Sequence, residues 1–292
     1  MRLPYDTELS GVDVAILGAP FDSGTSYRSG ARLGPREIRS QSSLIRPYSY
    51  FQKVSPFETL RVVDAGDIDV PPAGSIEQAY EVIAGGVRRV LDAGAIPMVV
   101  GGDHSISLPC LRAVASKHGP LSLVQFDAHI DTWGDYFGGK YFHGSPFRRA
   151  IEEGLLRPGG YVQVGIRGPM YGEEDDFAFQ NANAVTMIDI GQVKSAGIAA
   201  TIHRIRQVLS GPVYVTFDID AVDPAFAPGT GTPEVGGLTS YEAQELVRGL
   251  AGLPIAGCDI VEVAPPFDGP GQITASLAAN LMFELLCVMA RR

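Results

Sequence analysis

The feature that most constrains this chain is a repeated alternation. Eight short, mostly apolar and β-branched runs lie at residues 12–18, 61–66, 96–102, 121–127, 161–168, 184–190, 212–220 and 257–265. Stretches with helical spacing lie between them, near 35–44, 75–93, 106–118, 146–154, 197–209, 239–250 and 272–290. A strand that is apolar on both faces needs a layer of helices above it and another below. The alternation therefore predicts an α/β fold, in three layers (α/β/α) around an eight-stranded, mostly parallel sheet. No composition shift, linker or internal repeat divides the chain, so residues 1–292 read as one domain.

In parallel sheets ligands gather at the carboxyl ends of the strands, and four of these strands end in unusual chemistry. "GGDHS" (101–105) brings His104, and "DAHID" (127–131) brings Asp127, His129 and Asp131. "DIDAVDP" (218–224) brings Asp218, Asp220 and Asp223, and "EVAPP" (262–266) brings Glu262. Each motif alone has a plain structural reading: an acid at a strand end, an Asp-Pro turn, or a helix N-cap. Their joint occurrence at the same strand ends does not. Four carboxylates in one crevice cannot all ionise without compensation. Two divalent cations would balance Asp127, Asp131, Asp218 and Asp220, with His104 and His129 completing six ligands. If one carboxylate from each cluster bridges, each ion has four protein ligands. Nitrogen and oxygen donors without thiolate suit a hard-to-borderline ion such as Mn²⁺, and paired ions make hydroxide available at neutral pH.

Composition narrows the alternatives. The formal net charge is −10 without long like-charge blocks, which is not the footprint of a nucleic-acid binder or of a protein that docks on anionic membranes. Cys110, Cys258 and Cys287 each lie in an apolar stretch without a CxxC pairing, so reduced core thiols in a cytoplasmic protein are expected. The first residues lack the apolar stretch of a signal peptide. The tract "ASLAANLMFELLCVMA" carries Asn280 and Glu284 and reads as a buried final helix, not a membrane span. His118 and His203 lie in helical, charged surroundings and read as surface residues.

With these motifs in place, the chain resembles the ureohydrolase family of arginases, agmatinases, guanidinobutyrases, guanidinopropionases and proclavaminate amidinohydrolase. The resemblance runs from "GAPFDSGTSYRSGARLGPREIR" (18–39) through "GGDHS", "DAHID", "FHGSPFRRA" (142–150) and "FDIDAVDPAFAPGTGTPEVGGL" (217–238) to "DIVEVAPPFD" (259–268). It implies one manganese on His104, Asp127, Asp131 and Asp218, and another on Asp127, His129, Asp218 and Asp220. It places His143 as a mobile proton-shuttling histidine, Glu262 as the carboxylate that holds the substrate guanidinium, and Asp131 as the proton donor to the leaving amine. It also implies a small guanidino substrate and a homo-oligomer, trimer or hexamer. The stretch "RSGARLGPREIR" reads as loop-shaping, with Arg32 and Arg39 paired to acids.

The substrate is the least legible part. The loop 131–147 is rich in aromatics, among them Trp133, Tyr136, Phe137, Tyr141 and Phe142, and resembles the agmatinase and guanidinobutyrase branch; Trp133 is a candidate substrate contact. Glu173, Glu174, Asp175 and Asp176 are placed to attract the distal ammonium of agmatine, or else are acids at a helix N-terminus. Agmatine, cleaved to putrescine and urea, is the first expectation. A guanidino acid such as 4-guanidinobutyrate or guanidinopropionate is the alternative, with Arg148, Arg167 or Lys140 as its cation; proclavaminate-type substrates, guanidine and arginine rank lower. Rival classes are a DxH-type phosphoesterase, which lacks its Asn-His pair here, a one-zinc deacetylase, and a silent scaffold that retains the fold.

Overall fold

In the computed structural model, which describes residues 1–71, 74–172 and 176–291, every predicted run forms a strand. They are β1 (Val14–Gly18), β2 (Val62–Asp67), β3 (Ile96–Val100), β4 (Leu121–Phe126), β5 (Leu156–Ile166), β6 (Thr186–Asp189), β7 (Val213–Asp218) and β8 (Ile255–Val261). They form a single eight-stranded sheet in the order β2-β1-β3-β8-β7-β4-β5-β6. Every pairing is parallel, so the sheet is all-parallel where the sequence predicted mostly parallel.

Alternate residues of the strands feed two cores. Val14, Ile16, Met98, Val100, Val124 and Phe126 face one side. That side is covered by α1 (Gly34–Ser42), α7 (Ile190–Ala196), α8 (Ile198–Val208), α9 (Ser240–Arg248) and α10 (Ile273–Ala290). Ala15, Leu17, Val99, Leu121 and Leu123 face the other side, under α3 (Ile76–Asp92), α4 (Ser107–His118) and α5 (Pro146–Glu152). The short helices α2 (Pro56–Thr59) and α6 (Ala178–Ala182), together with α7, were not read from the sequence. α7 follows β6 without a gap, capped by the Asp189 side chain on Gln192 N–H, so one apolar run hides the change of period.

α10 is apolar on all sides, as expected of a helix enclosed by protein. Its 18 residues and mean hydropathy of 1.8 would suffice to cross a membrane, yet 78% of it is buried within the fold. All three cysteines are buried and unpaired, while His118 and His203 are exposed, as read.

The four strands that end in candidate ligands, β3, β8, β7 and β4, are consecutive in the sheet. This adjacency brings His104 and Glu262, 158 positions apart in sequence, into hydrogen-bond contact. Phe126 and Phe217, the register partners at the ends of β4 and β7, stack with centroids 5.1 Å apart and seal the apolar layer behind the carboxylates.

Candidate metal centre

The six predicted ligands converge. His104 Nδ1 lies 3.1 Å from Asp127 Oδ2, 2.9 Å from Asp131 Oδ2 and 3.1 Å from Asp218 Oδ2. His129 Nδ1 lies 3.0 Å from Asp220 Oδ2 and 3.6 Å from Asp127 Oδ1. Two groups have donor atoms close enough to share an ion: His104, Asp127 and Asp218, and Asp127, His129 and Asp220. Asp127 belongs to both. Asp131 flanks the first through its contact with His104.

The donor set fits cations. Although three carboxylate oxygens surround His104 Nδ1, none meets it in hydrogen-bond geometry, and the atom is buried without a partner. The opposite ring atom shows why. His104 Nε2 is 2.9 Å from Thr216 Oγ1, whose proton goes to Asp259 Oδ1 at 2.5 Å. Thr216 must therefore accept from Nε2–H, so in the neutral ring Nδ1 is a lone pair facing lone pairs. A cation is what satisfies such an arrangement. Asp259 is anchored in turn by Ser107 Oγ at 2.8 Å and Tyr214 OH at 2.7 Å.

A second polar layer shapes "DAHID". Gln125 donates to Asp127 Oδ2 at 2.6 Å and to the His129 carbonyl at 3.2 Å. Gln163, its register partner on β5, donates to Gln125 at 3.0 Å and to the Ile130 carbonyl at 2.6 Å, and Tyr161 OH also donates to Gln125. Gly168 makes room for the cage, since a Cβ there would meet His129 Cδ2 at 2.7 Å. Asp131 and Glu262 both adopt left-handed backbone, with φ of 50° and 60°, a conformation that non-glycine residues keep only where the surroundings enforce it.

The electrostatics express the crowding. Burial pushes Asp131 up to about 6, with the Asp127 charge adding to it. Burial, then Asp220 and Asp127, raise Asp218. Burial would also raise Asp127, but the imidazoles of His104 and His129 beside it hold it below the usual range. Burial opposes charge on His104, yet Asp127, Asp131 and Asp218 raise it well above an ordinary histidine.

Glu262 and His143 stand beside this cage. Glu262 Oε1 accepts from His104 N–H at 2.9 Å and from His143 Nδ1 at 3.0 Å, whereas Oε2 is buried with no partner. Burial would lower the His143 pKa, but the hydrogen bond and charge of Glu262 outweigh it and push it up to about 9. Trp133 is half-buried, 6.4 Å from the His129 ring, and its indole N–H is held by Asp176 Oδ1 at 2.7 Å.

Some expected roles shift. Arg167 is spent on backbone: its guanidinium donates to the carbonyls of Gly165, Asp220, Ala221, Glu234 and Val235, so it clamps loops and is not open to a substrate carboxylate. Asp176 is buried under Trp133 and is not part of an acidic mouth; Glu173, Glu174 and Asp175 lie outside the described residues. Arg32 pairs with Asp22, and Arg39 with Asp64 and Asp67, as expected of loop-shaping arginines. Thr216, Asp259, Gln125 and Ser26 were not read as site residues. The signal for the first three was a polar side chain inside an otherwise apolar strand.

Comparison with known proteins agrees with this geometry. The family model described as the arginase family matches residues 12–288. The chain is 49% identical to guanidinopropionase of Pseudomonas aeruginosa, over 99% of this chain and 91% of that protein. It is 45% identical to the mitochondrial agmatinase of Gallus gallus, over 99% and 84% respectively. The structure of proclavaminate amidinohydrolase from Streptomyces clavuligerus superimposes with a TM-score of 0.94 at 43% identity, covering 99% of this chain and 96% of that one.

Thr216→Val keeps the side-chain shape but strips Nε2–H of its acceptor. Metal affinity is expected to fall about 10–100-fold, as read by competition with a chelator; unchanged affinity would contradict the role given to Thr216. A second expectation concerns the metal-free protein. Asp131, raised by burial and Asp127, and Asp103, pushed up to about 7 by burial and Glu262, retain protons in the folded chain that the unfolded chain has released. The folded state then binds more protons between about pH 4 and 7, so stability falls as pH rises through that window. The raised His104 and His129 act in the same direction, since their contribution is lost as pH rises. Urea unfolding after chelation is expected to show greater stability at pH 5 than at pH 8; the reverse order would refute these shifts.

Proposed function

The chain belongs to the arginase family, and from that premise we propose that it hydrolyses a linear guanidino acid to urea and the corresponding amino acid, using two manganese ions. A chain of this family with this His and Asp donor set is a metal-dependent amidinohydrolase of guanidino compounds. Under this proposal His104, Asp127, Asp131 and Asp218 hold one ion, and Asp127, His129, Asp218 and Asp220 the other. When bound, such a pair lowers the pKa of water enough to supply hydroxide at neutral pH.

The observation that carries the reading is the free oxygen of Glu262. A buried carboxylate oxygen without a partner is costly, and a guanidinium N–H is the donor that would satisfy it. Held there, the flat, resonance-stabilised guanidinium presents its carbon to the carboxylate cage, and orientation supplies much of the rate. The leaving amine needs a proton. Under this reading Asp131, at the cage beside His104, passes it on, and His143 at the rim, hydrogen-bonded to Glu262, replaces it.

The choice of a guanidino acid rests on the mouth. Arg28 stacks over the Phe267 ring at 4.0 Å and pairs with no acid among the described residues. Its backbone carbonyl and Glu262 Oε2 both lie within 4 Å of the position a Cβ would take at Gly231, so the Arg28 backbone borders the proposed guanidinium site and its side chain is the cation proposed for a distal carboxylate. The similarity to guanidinopropionase supports the same reading. Agmatine is the second reading: Glu234, partly exposed and 3.6 Å from His129 Nε2, is an acid placed for a distal ammonium, and the similarity to an agmatinase favours it.

The test is urea release from 3-guanidinopropionate, 4-guanidinobutyrate, agmatine, arginine and guanidine with Mn²⁺ supplied. A guanidino acid is expected to have the highest kcat/KM. Arg28→Ala is expected to raise its KM by roughly 10–100-fold, the equivalent of one charged hydrogen bond of about 1.5–3 kcal/mol. A preference for agmatine that survives Arg28→Ala would replace this reading with the second.

A further inference from the structure

The motif "DSGTSYR" leaves one residue that the chemistry above does not use. Ser26 meets His143 twice: its backbone N–H points at Nε2 at 3.2 Å, and its hydroxyl lies 3.0 Å from the same atom. The two groups differ in what they accept. A backbone N–H can serve only a neutral ring, whose Nε2 carries a lone pair. A hydroxyl serves both forms, donating to the neutral ring and accepting from the charged one. A histidine that changes protonation during turnover needs such a partner if its ring is to stay in place.

The loop that carries Ser26 is built to hold it there. The buried Asp22 carboxylate accepts from Gly30 N–H at 2.7 Å, Arg32 N–H at 3.2 Å and the Arg32 guanidinium, closing residues 22–32 into a ring. Gly24 is pinned on both sides: its N–H donates to the buried Asp103 at 2.7 Å, and its carbonyl accepts from the His143 N–H at 2.9 Å. Space allows no larger residue, because a Cβ on Gly24 would meet Ser105 Oγ at 2.6 Å. On its other side the His143 ring is held by Glu262 Oε1 at 3.0 Å, and the acids Asp131 and Asp103 also bear on it.

We infer that Ser26 is a positioning residue for His143: its hydroxyl turns between donor and acceptor as the ring gains and loses a proton, and so keeps the imidazole seated against Glu262 in both states. The inference rests on the reading of His143 as a group that carries protons in guanidino hydrolysis.

The experiment compares Ser26→Ala, Ser26→Thr, His143→Asn and the double variant Ser26→Ala/His143→Asn in the manganese-loaded enzyme. Metal content and KM are followed beside the pH profile of kcat. Ser26→Ala is expected to lose roughly 10-fold or more in kcat with little change in KM or metal content. Its alkaline limb is expected to move to lower pH, because the charged, proton-supplying ring loses an acceptor. Ser26→Thr restores both, and Ser26→Ala adds nothing in the His143→Asn background. Wild-type kcat and pH profile in Ser26→Ala, with His143→Asn crippled, would overturn the role of Ser26. A fully active His143→Asn would instead overturn the reading on which it rests.

Discussion

The rest of the structure follows from one electrostatic conflict. Four carboxylates and two imidazoles meet at a single buried point, where His104 Nδ1 faces three carboxylate oxygens within 3.1 Å and bonds to none. Without compensation that arrangement is among the more costly that a protein interior can hold. It persists because the fold makes it unavoidable. The four strands that deliver the groups are neighbours in an all-parallel sheet, and apolar cores on both faces hold their ends in register.

A second ring of polar contacts turns that crowding into a defined site. Asp259 and Thr216 set the tautomer of His104, and Gln125 and Gln163 set the path of the chain from Asp127 to Asp131. Asp131 and Glu262, two of the seven described non-glycine residues with positive φ, carry left-handed backbone at the same rim, a conformation kept only where the surroundings enforce it. The Asp22-closed loop adds the third wall, and with it the seat for His143. None of these features is needed to fold an α/β domain. All of them bear on where a guanidinium can lie.

Much of this was legible in the residues. Strand–helix alternation reveals all eight strands because a strand that is apolar on both faces must lie inside a covered sheet. The candidate ligands are visible because acids and histidines at strand ends have no core role. What stayed hidden has physical reasons. α7 is fused to β6 by a shared apolar run, and α2 and α6 are too short to show a period. Thr216 and Asp259 act through hydrogen bonds between neighbouring strands, and strand order is not written in local sequence. Ser26 lies in a loop 117 positions before the histidine it touches. Arg167 was open to misreading for the opposite reason: an arginine after a strand looks free until the carbonyls that consume it are in place.

Asp127 belongs to both donor groups, so a two-ion site depends on it more than on any other residue named above. The most direct test is the metal content of Asp127→Ala beside the unaltered chain, measured by elemental analysis after equilibrium dialysis against manganese. Two ions per chain are expected in the unaltered protein and the loss of both in the variant, with the fold retained by circular dichroism. Two tightly held ions in Asp127→Ala would contradict that dependence.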